Sequence, residues 1–320
     1  MPSPVRRRVA VAALLASLGL AAGALASCGG ATPAPGRKAA AATSPTASPT
    51  RPPVRPVKAA TRGGYVALGD SFTSGGGATA PCHRSGAAYP HLVAKRFTFA
   101  AAPAYTACDG ATIAALTASQ KGRPPQIAPI TARTSLVTVQ IGGNDLGFTP
   151  VLATCVLQSA GSSACRAQEP DIRHRVTKLR TDLRAALAKI RTNAPRARVL
   201  VLGYPHLFPY RPKRTTAELA PRDQRWLNDM TNVANEAVRA VAKSADAAVT
   251  GAGSVEYVDV TAALSGHELG RPDSDVHDLN VDFQNFTVDP KSFHPTDAGQ
   301  KRMAKAVEEQ VTSGPGRPLR

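Results

Sequence analysis

Apolar residues follow two alternating rhythms along this chain. Short unbroken runs stand at Tyr65–Leu68, Leu136–Ile141 and Val199–Leu202, and a mixed run at Val255–Val260. Their length and β-branched content suit buried strands. Between them, apolar residues recur every third or fourth position. Val176, Leu179, Leu183, Leu187 and Ile190 share one face and predict a helix over about 170–193. Leu227, Met230, Val233, Ala234, Ala237, Val238 and Val241 predict a second over about 216–244. Tyr89, Leu92, Val93 and Phe97 fit a shorter helical face, residues 103–107 a short strand, and Pro295 to Gln310 a closing helix. The stretches 74–90, 146–168 and 265–293 read as loops. Strands alternating with helices imply an α/β fold with a parallel sheet covered on both faces. No internal repeat is visible.

The first 62 residues follow neither rhythm. Arg6–Arg8 precede the apolar and small-residue stretch Val9–Leu25, the layout of an export signal over residues 1–27. Two processing sites compete. Leu25-Ala26-Ser27-Cys28 resembles a lipobox, in which Cys28 is lipidated and becomes the new N-terminus; Ala24-Leu25-Ala26 resembles an ordinary cleavage site. Residues 28–62 are rich in Ala, Pro, Thr and Ser and too poor in large apolar groups to offset the entropy of ordering, so they read as a disordered tether. The folded domain is expected over 63–312, with a flexible tail at 313–320.

Charge and cysteine content sharpen this picture. The formal net charge is +17, and the leader arginines with the six Lys and Arg of the tether supply about half of it. A basic surface suits anionic lipid or wall polymer; sparse aromatics and the lack of a nucleic-acid motif exclude nucleic acid as a partner. Of five cysteines, Cys28 lies outside the domain and four remain, an even set in a chain read as exported. Three pairings are formally open; Cys82–Cys108 with Cys155–Cys165 is the one expected. The even set also favours the lipobox, and with it a cell-surface lipoprotein over a released protein.

Four short blocks stand where strands end or helices begin: Gly69-Asp70-Ser71, Cys108-Asp109-Gly110-Ala111-Thr112, Gly142-Gly143-Asn144-Asp145 and Ser292-Phe293-His294-Pro295. A serine just past a strand sits at the carboxyl edge of the sheet, where open α/β folds place ligand sites. It becomes a nucleophile when a base takes its proton and donors hold the resulting oxyanion. Asp70 and Asp145 are expected to bond the backbone locally. His267, Glu268, Asp273, Asp275, His277 and Asp278 match no metal-loop spacing and read as a solvated loop. His83, His91, His174 and His206 read as structural or surface residues.

Together the four blocks resemble the GDSL, or SGNH, hydrolase family, closest to its secreted bacterial lipase and esterase branch, over roughly residues 63–310. The resemblance implies a three-layer α/β/α sandwich around a central, mostly parallel five-stranded sheet of flavodoxin-like type. It implies Ser71 as nucleophile, His294 as base, and an oxyanion hole made of the Ser71 and Gly110 backbone N–H groups and the Asn144 side chain. It implies no cofactor and no metal, an acyl ester as substrate, and a monomer. Attachment to the outer membrane surface through lipidated Cys28 follows from the leader. Many family members carry an aspartate three residues before the histidine; here that residue is Lys291, and Asp289 lies five before. By analogy with secreted relatives that use a main-chain carbonyl, the Ser292 carbonyl is expected to orient His294. Two alternatives stand beside the lipase or esterase: an O-deacetylase of carbohydrate or cell-wall polymer, and a non-catalytic tethered binding domain.

Overall fold

The computed structural model describes residues 63–77, 80–159, 162–282 and 287–314. The expected signal, Cys28, the tether and residues 315–320 of the expected tail lie outside the described residues.

The chain enters the fold as β1 (Gly64–Gly69) and passes through one helical turn, α1 (Ser71–Ser74), to α2 (Tyr89–Arg96) and the short β2 (Ala104–Tyr105). After β3 (Thr134–Gln140) come α3 (Phe148–Leu157) and α4 (Glu169–Asn193). Next are β4 (Arg198–Leu202), α5 (Pro221–Ala247) and β5 (Ser254–Val258). A two-stranded antiparallel ribbon, β6 (Val281–Asp282) with β7 (Thr287–Val288), precedes the closing helix α6 (Asp297–Ser313).

Five strands form a wholly parallel sheet in the order β2-β1-β3-β4-β5. This flavodoxin-like order reverses its direction of winding between β1 and β3. The crevice outside the carboxyl ends of those two strands is where such sheets bind ligands. Alternation along each strand divides the core. Tyr65, Ala67, Leu136 and Leu200 pack with Tyr89 and Val93 of α2 and Met303 and Val307 of α6. Val66, Leu68, Val137, Val139 and Val199 pack with Leu183 and Leu187 of α4 and Val238 and Val241 of α5. Every residue of β3 and β4 is buried, which explains why those strands read as continuous apolar runs.

Several elements differ from the sequence reading, among them the β6–β7 ribbon inside the stretch 265–293 read as loop. Residues 148–157, read as loop, form α3, whose buried Val151, Leu152 and Cys155 join the first core cluster. The helix expected from about 216 begins at Pro221. Ala217 and Glu218 adopt positive φ, which no α-helix tolerates, and Leu219 turns inward to full burial. The closing helix runs on to Ser313, because the buried Arg198 guanidinium, paired with Glu256, donates to the Gln310 and Val311 carbonyls at 2.9 Å each. The 265–293 stretch is also less polar in effect than in composition: Leu269, Val276 and Phe293 are buried.

Candidate active site

β1 delivers Ser71 to the switch point. Gly69 ends the strand at φ +149, and a Cβ there would overlap Thr73 and the Gln140 carbonyl, so only glycine permits the turn. Gln126 clamps this peptide from both sides: its Oε1 accepts from the Gly69 N–H at 2.7 Å and its Nε2 donates to the Gly69 carbonyl at 2.9 Å. Asp70 caps α1 by accepting the Phe72 N–H at 3.0 Å. Ser71 follows as the first residue of the helix, where N–H groups have no partner inside the helix.

Two further segments are tied to this turn. The Cys108 N–H donates to the Gly69 carbonyl at 3.0 Å, which brings Gly110 alongside. Gly110 is exposed, has φ +72, and a Cβ there would meet nothing within 4 Å, so the backbone conformation, rather than packing, asks for glycine. The third block leaves β3 in a tight turn. Its Asn144 donates Nδ2–H to the Ala111 carbonyl at 2.9 Å, and Asp145 accepts the Ile113 N–H at 3.1 Å. Burial pushes the Asp145 carboxyl up, and the Ile113 N–H opposes that shift.

His294 comes from the other end of the chain. Phe293, held at φ +66 and fully packed, turns the backbone so that the next ring points back toward β1. Nε2 of His294 lies 2.7 Å from the Ser71 hydroxyl, and Nδ1 lies 3.0 Å from the Ser292 carbonyl. A carbonyl only accepts, so Nδ1 carries the hydrogen and Nε2 is the acceptor for the serine proton. Burial lowers the pKa of His294 from its ordinary 6.5; the Ser292 carbonyl and the Asp109 carboxylate oppose the shift. Lys291 occupies the place of the family aspartate. Asp289 does not face the ring: its side chain accepts the Lys291 N–H at 2.8 Å and so closes the local turn. Phe72 packs against the imidazole with ring centroids 5.0 Å apart.

The structure thus brings the blocks of Ser71, Gly110, Asn144 and His294 to one sheet edge. Cys82–Cys108 and Cys155–Cys165 are disulfides with S–S distances of 2.07 and 2.01 Å. The acidic and histidine residues of 265–278 do not converge: His267 meets Asp273 at 2.8 Å, while Asp275 pairs with Arg302. Among the described residues no group of three His, Cys, Asp or Glu is placed to hold a metal ion.

Two features escaped the sequence reading. One is Tyr204, just past β4, whose hydroxyl meets Asp70 at 2.5 Å and Gly143 at 2.9 Å. The other is a cavity of about 850 Å³, counting its open mouth, that begins at Ser71 and Asn144. Its walls are mostly apolar, with Phe148 and Leu152 of α3, Ile172 of α4, Phe208, and Leu227 and Met230 of α5.

The chain resembles known proteins over this same region. Residues 67–302 match the model of the GDSL-like Lipase/Acylhydrolase family. Lipase 1 of Streptomyces coelicolor is 34% identical over 245 residues, covering 74% of this chain and 82% of the relative. The crystal structure of phospholipase A1 from Streptomyces albidoflavus NA297 superposes with a TM-score of 0.65 at 33% identity, covering 78% of this chain and 99% of that one. The extracellular lipase of Streptomyces rimosus gives the same TM-score of 0.65 at 30% identity, covering 77% and 99%.

Proposed function

The chain belongs to the GDSL-like lipase/acylhydrolase family and is a carboxylic ester hydrolase; from that premise we propose that it is an exported lipase or esterase working through an acyl-Ser71 intermediate. The observation that carries this reading is the 2.7 Å approach of His294 Nε2 to the Ser71 hydroxyl at the mouth of an apolar cavity.

In this mechanism His294 takes the Ser71 proton as Oγ attacks the ester carbonyl. The carbonyl oxygen becomes an oxyanion, held by the Ser71 and Gly110 N–H groups and by Asn144 Nδ2–H. Asn144 commits one amide hydrogen to Ala111, which orients the other. The imidazolium then gives its proton to the leaving alcohol as the C–O bond breaks. Water enters, loses a proton to His294, attacks the acyl-serine and releases the carboxylic acid. Serine leaves with the proton that His294 returns. The Ser292 carbonyl fixes the tautomer but stabilises the imidazolium less than a carboxylate does.

The mostly apolar lining of the cavity favours an acyl chain of medium or long length over acetyl. Such a lining, apolar with a few polar groups beside Ser71, is typical of small-ligand sites. Two solved relatives bear the names phospholipase A1 and extracellular lipase, in keeping with an ester substrate from lipid. The deciding experiment is a chain-length series of nitrophenyl esters on wild type and Ser71→Ala. Faster turnover of octanoate than acetate, lost in Ser71→Ala, is the expected result; a preference for acetate points to an O-deacetylase instead. Export and anchoring rest on the leader alone, and the mass of the mature N-terminus tests them: a diacylglyceryl group on Cys28 marks a lipoprotein, and a start at Ser27 removes the anchor.

A further inference from the structure

Tyr204 joins the nucleophile turn to the Asn144 turn through a single atom, its hydroxyl oxygen. Its backbone is clamped by Asn235, whose Oδ1 accepts the Tyr204 N–H at 2.7 Å and whose Nδ2 donates to the Tyr204 carbonyl at 2.8 Å. Its ring stands edge-on to Phe72, centroids 5.3 Å apart, and forms part of the cavity wall. Its hydroxyl lies 2.5 Å from Asp70 Oδ2 and 2.9 Å from the Gly143 nitrogen.

The direction of these bonds follows from the donors available. The Gly143 nitrogen can only donate, so the tyrosine oxygen accepts there. Ionised Asp70 can only accept, so the tyrosine hydrogen points at Oδ2. Both Asp70 oxygens then have a partner, Oδ1 the Phe72 N–H and Oδ2 Tyr204. Neither group is left for proton transfer: His294 already has its orienting partner in the Ser292 carbonyl, and the tyrosine hydrogen is committed. The relay Gly143–Tyr204–Asp70 spans the residue before Asn144 and the residue before Ser71. Glycine at 143 is part of it, since a Cβ there would stand 3.3 Å from the tyrosine oxygen and ring.

We infer that Tyr204 is a positioning residue for ester hydrolysis: its hydroxyl fixes where the Asn144 amide stands relative to Ser71, and so whether the oxyanion is met in the transition state. The inference rests on the roles given to Ser71 and Asn144 above. It predicts a loss that falls on turnover rather than on substrate binding, because the ground-state ester is held by the cavity and the oxyanion exists only on the way to the acyl-enzyme.

The test compares wild type, Tyr204→Phe, Gly143→Ala and Ser71→Ala on one nitrophenyl ester, with active enzyme counted by fluorophosphonate labelling. Tyr204→Phe keeps the ring and removes the hydroxyl; Gly143→Ala keeps the hydroxyl and pushes on it from the other side. Both are expected to lower kcat about 10- to 100-fold per labelled molecule, the scale of a misplaced catalytic group, with KM within about twofold. Affinity for a phenylboronic acid, which binds serine as a tetrahedral adduct, is expected to fall by the same factor as kcat. Unchanged kcat in Tyr204→Phe, a loss confined to KM, or unchanged boronate affinity overturns the inference. Ser71→Ala separates the two levels: if it stays active the nucleophile assignment itself fails, whereas a dead Ser71→Ala beside a fully active Tyr204→Phe sinks only the role of Tyr204.

Discussion

Nε2 of His294 stands 2.7 Å from the hydroxyl of Ser71 across 223 positions of sequence, while Nδ1 of the same ring turns to the carbonyl of Ser292, two positions away. In the proposed mechanism the long-range contact supplies the chemistry and the local one supplies the tautomer. Replacing either Ser71 or His294 by alanine is therefore expected to lower kcat by at least on the order of 10⁴-fold. Asp289→Asn should leave kcat within about twofold, because Asp289 bonds the Lys291 N–H and not the imidazole. Steady-state kinetics on a soluble ester check all three; a large loss in Asp289→Asn would restore a carboxylate-based triad.

In the proposed mechanism Asn144→Ala removes a donor for a charge that exists only in the transition state. A loss of about 10²–10³ in kcat with little change in KM is expected, on the scale of other oxyanion-hole deletions. The variant also gives up the bond to the Ala111 carbonyl. A thermal melt run beside the kinetics separates that structural contribution, and a variant that melts early yet turns over at the wild-type rate contradicts the assignment.

The pH profile should have two steps. His294 serves as base only when neutral, and burial keeps its pKa below the ordinary 6.5, so the steep fall in kcat/KM comes as pH drops below that value. Burial holds the Asp70 carboxyl up at about 7, against the pull of the Tyr204 hydroxyl and the Phe72 N–H. On the same descent Asp70 gains its proton first, and its bond to the tyrosine hydroxyl weakens as the charge is lost. A shallower step near pH 7 is expected in wild type and is missing from Tyr204→Phe, where only the lower limb remains. Profiles that superimpose after scaling refute the link.

The two disulfides should stabilise alike and differ in what they do for catalysis. Their ring closures, over separations of 26 and 10 residues, correspond to about 3.5 and 2.7 kcal/mol of unfolding free energy. Cys82–Cys108 ends two residues before Gly110, whereas Cys155–Cys165 fastens α3 to the segment that leads into α4. Denaturant melts of the two serine double variants test the energies. Activity per folded molecule is expected to fall for Cys82→Ser with Cys108→Ser and to hold for the other pair.

Cavity shape should set chain length. Leu152 of α3 lines it, and Leu152→Trp is expected to raise KM for a long-chain ester about tenfold or more, with acetate turnover nearly unchanged. Equal effects on both substrates would place the acyl chain elsewhere.

What the sequence disclosed and what it hid follow from physical range. The continuous apolar runs of β3 and β4 and the periodic face of α4 are local signals, so their elements lie close to where the pattern puts them. α3 carried Gly147 and Pro150 at its start, which read as loop, and its burial depends on a cavity that no local pattern encodes. The start of α5 moved because Leu219 found a partner in the core. Tyr204 was silent for a simpler reason. A tyrosine past a strand has no motif of its own, and its meaning comes from Asp70, 134 positions earlier. Glycines were the best local clues: Gly69 and Gly110 stand at φ values that few other residues accept.

Ser71 enters with the first strand, and His294 arrives only as the chain turns into its final helix. The ribosome releases the hydroxyl long before the imidazole that, in the proposed mechanism, activates it. On that mechanism an emerging polypeptide is inert toward the esters of the cell that makes it until His294 reaches Ser71.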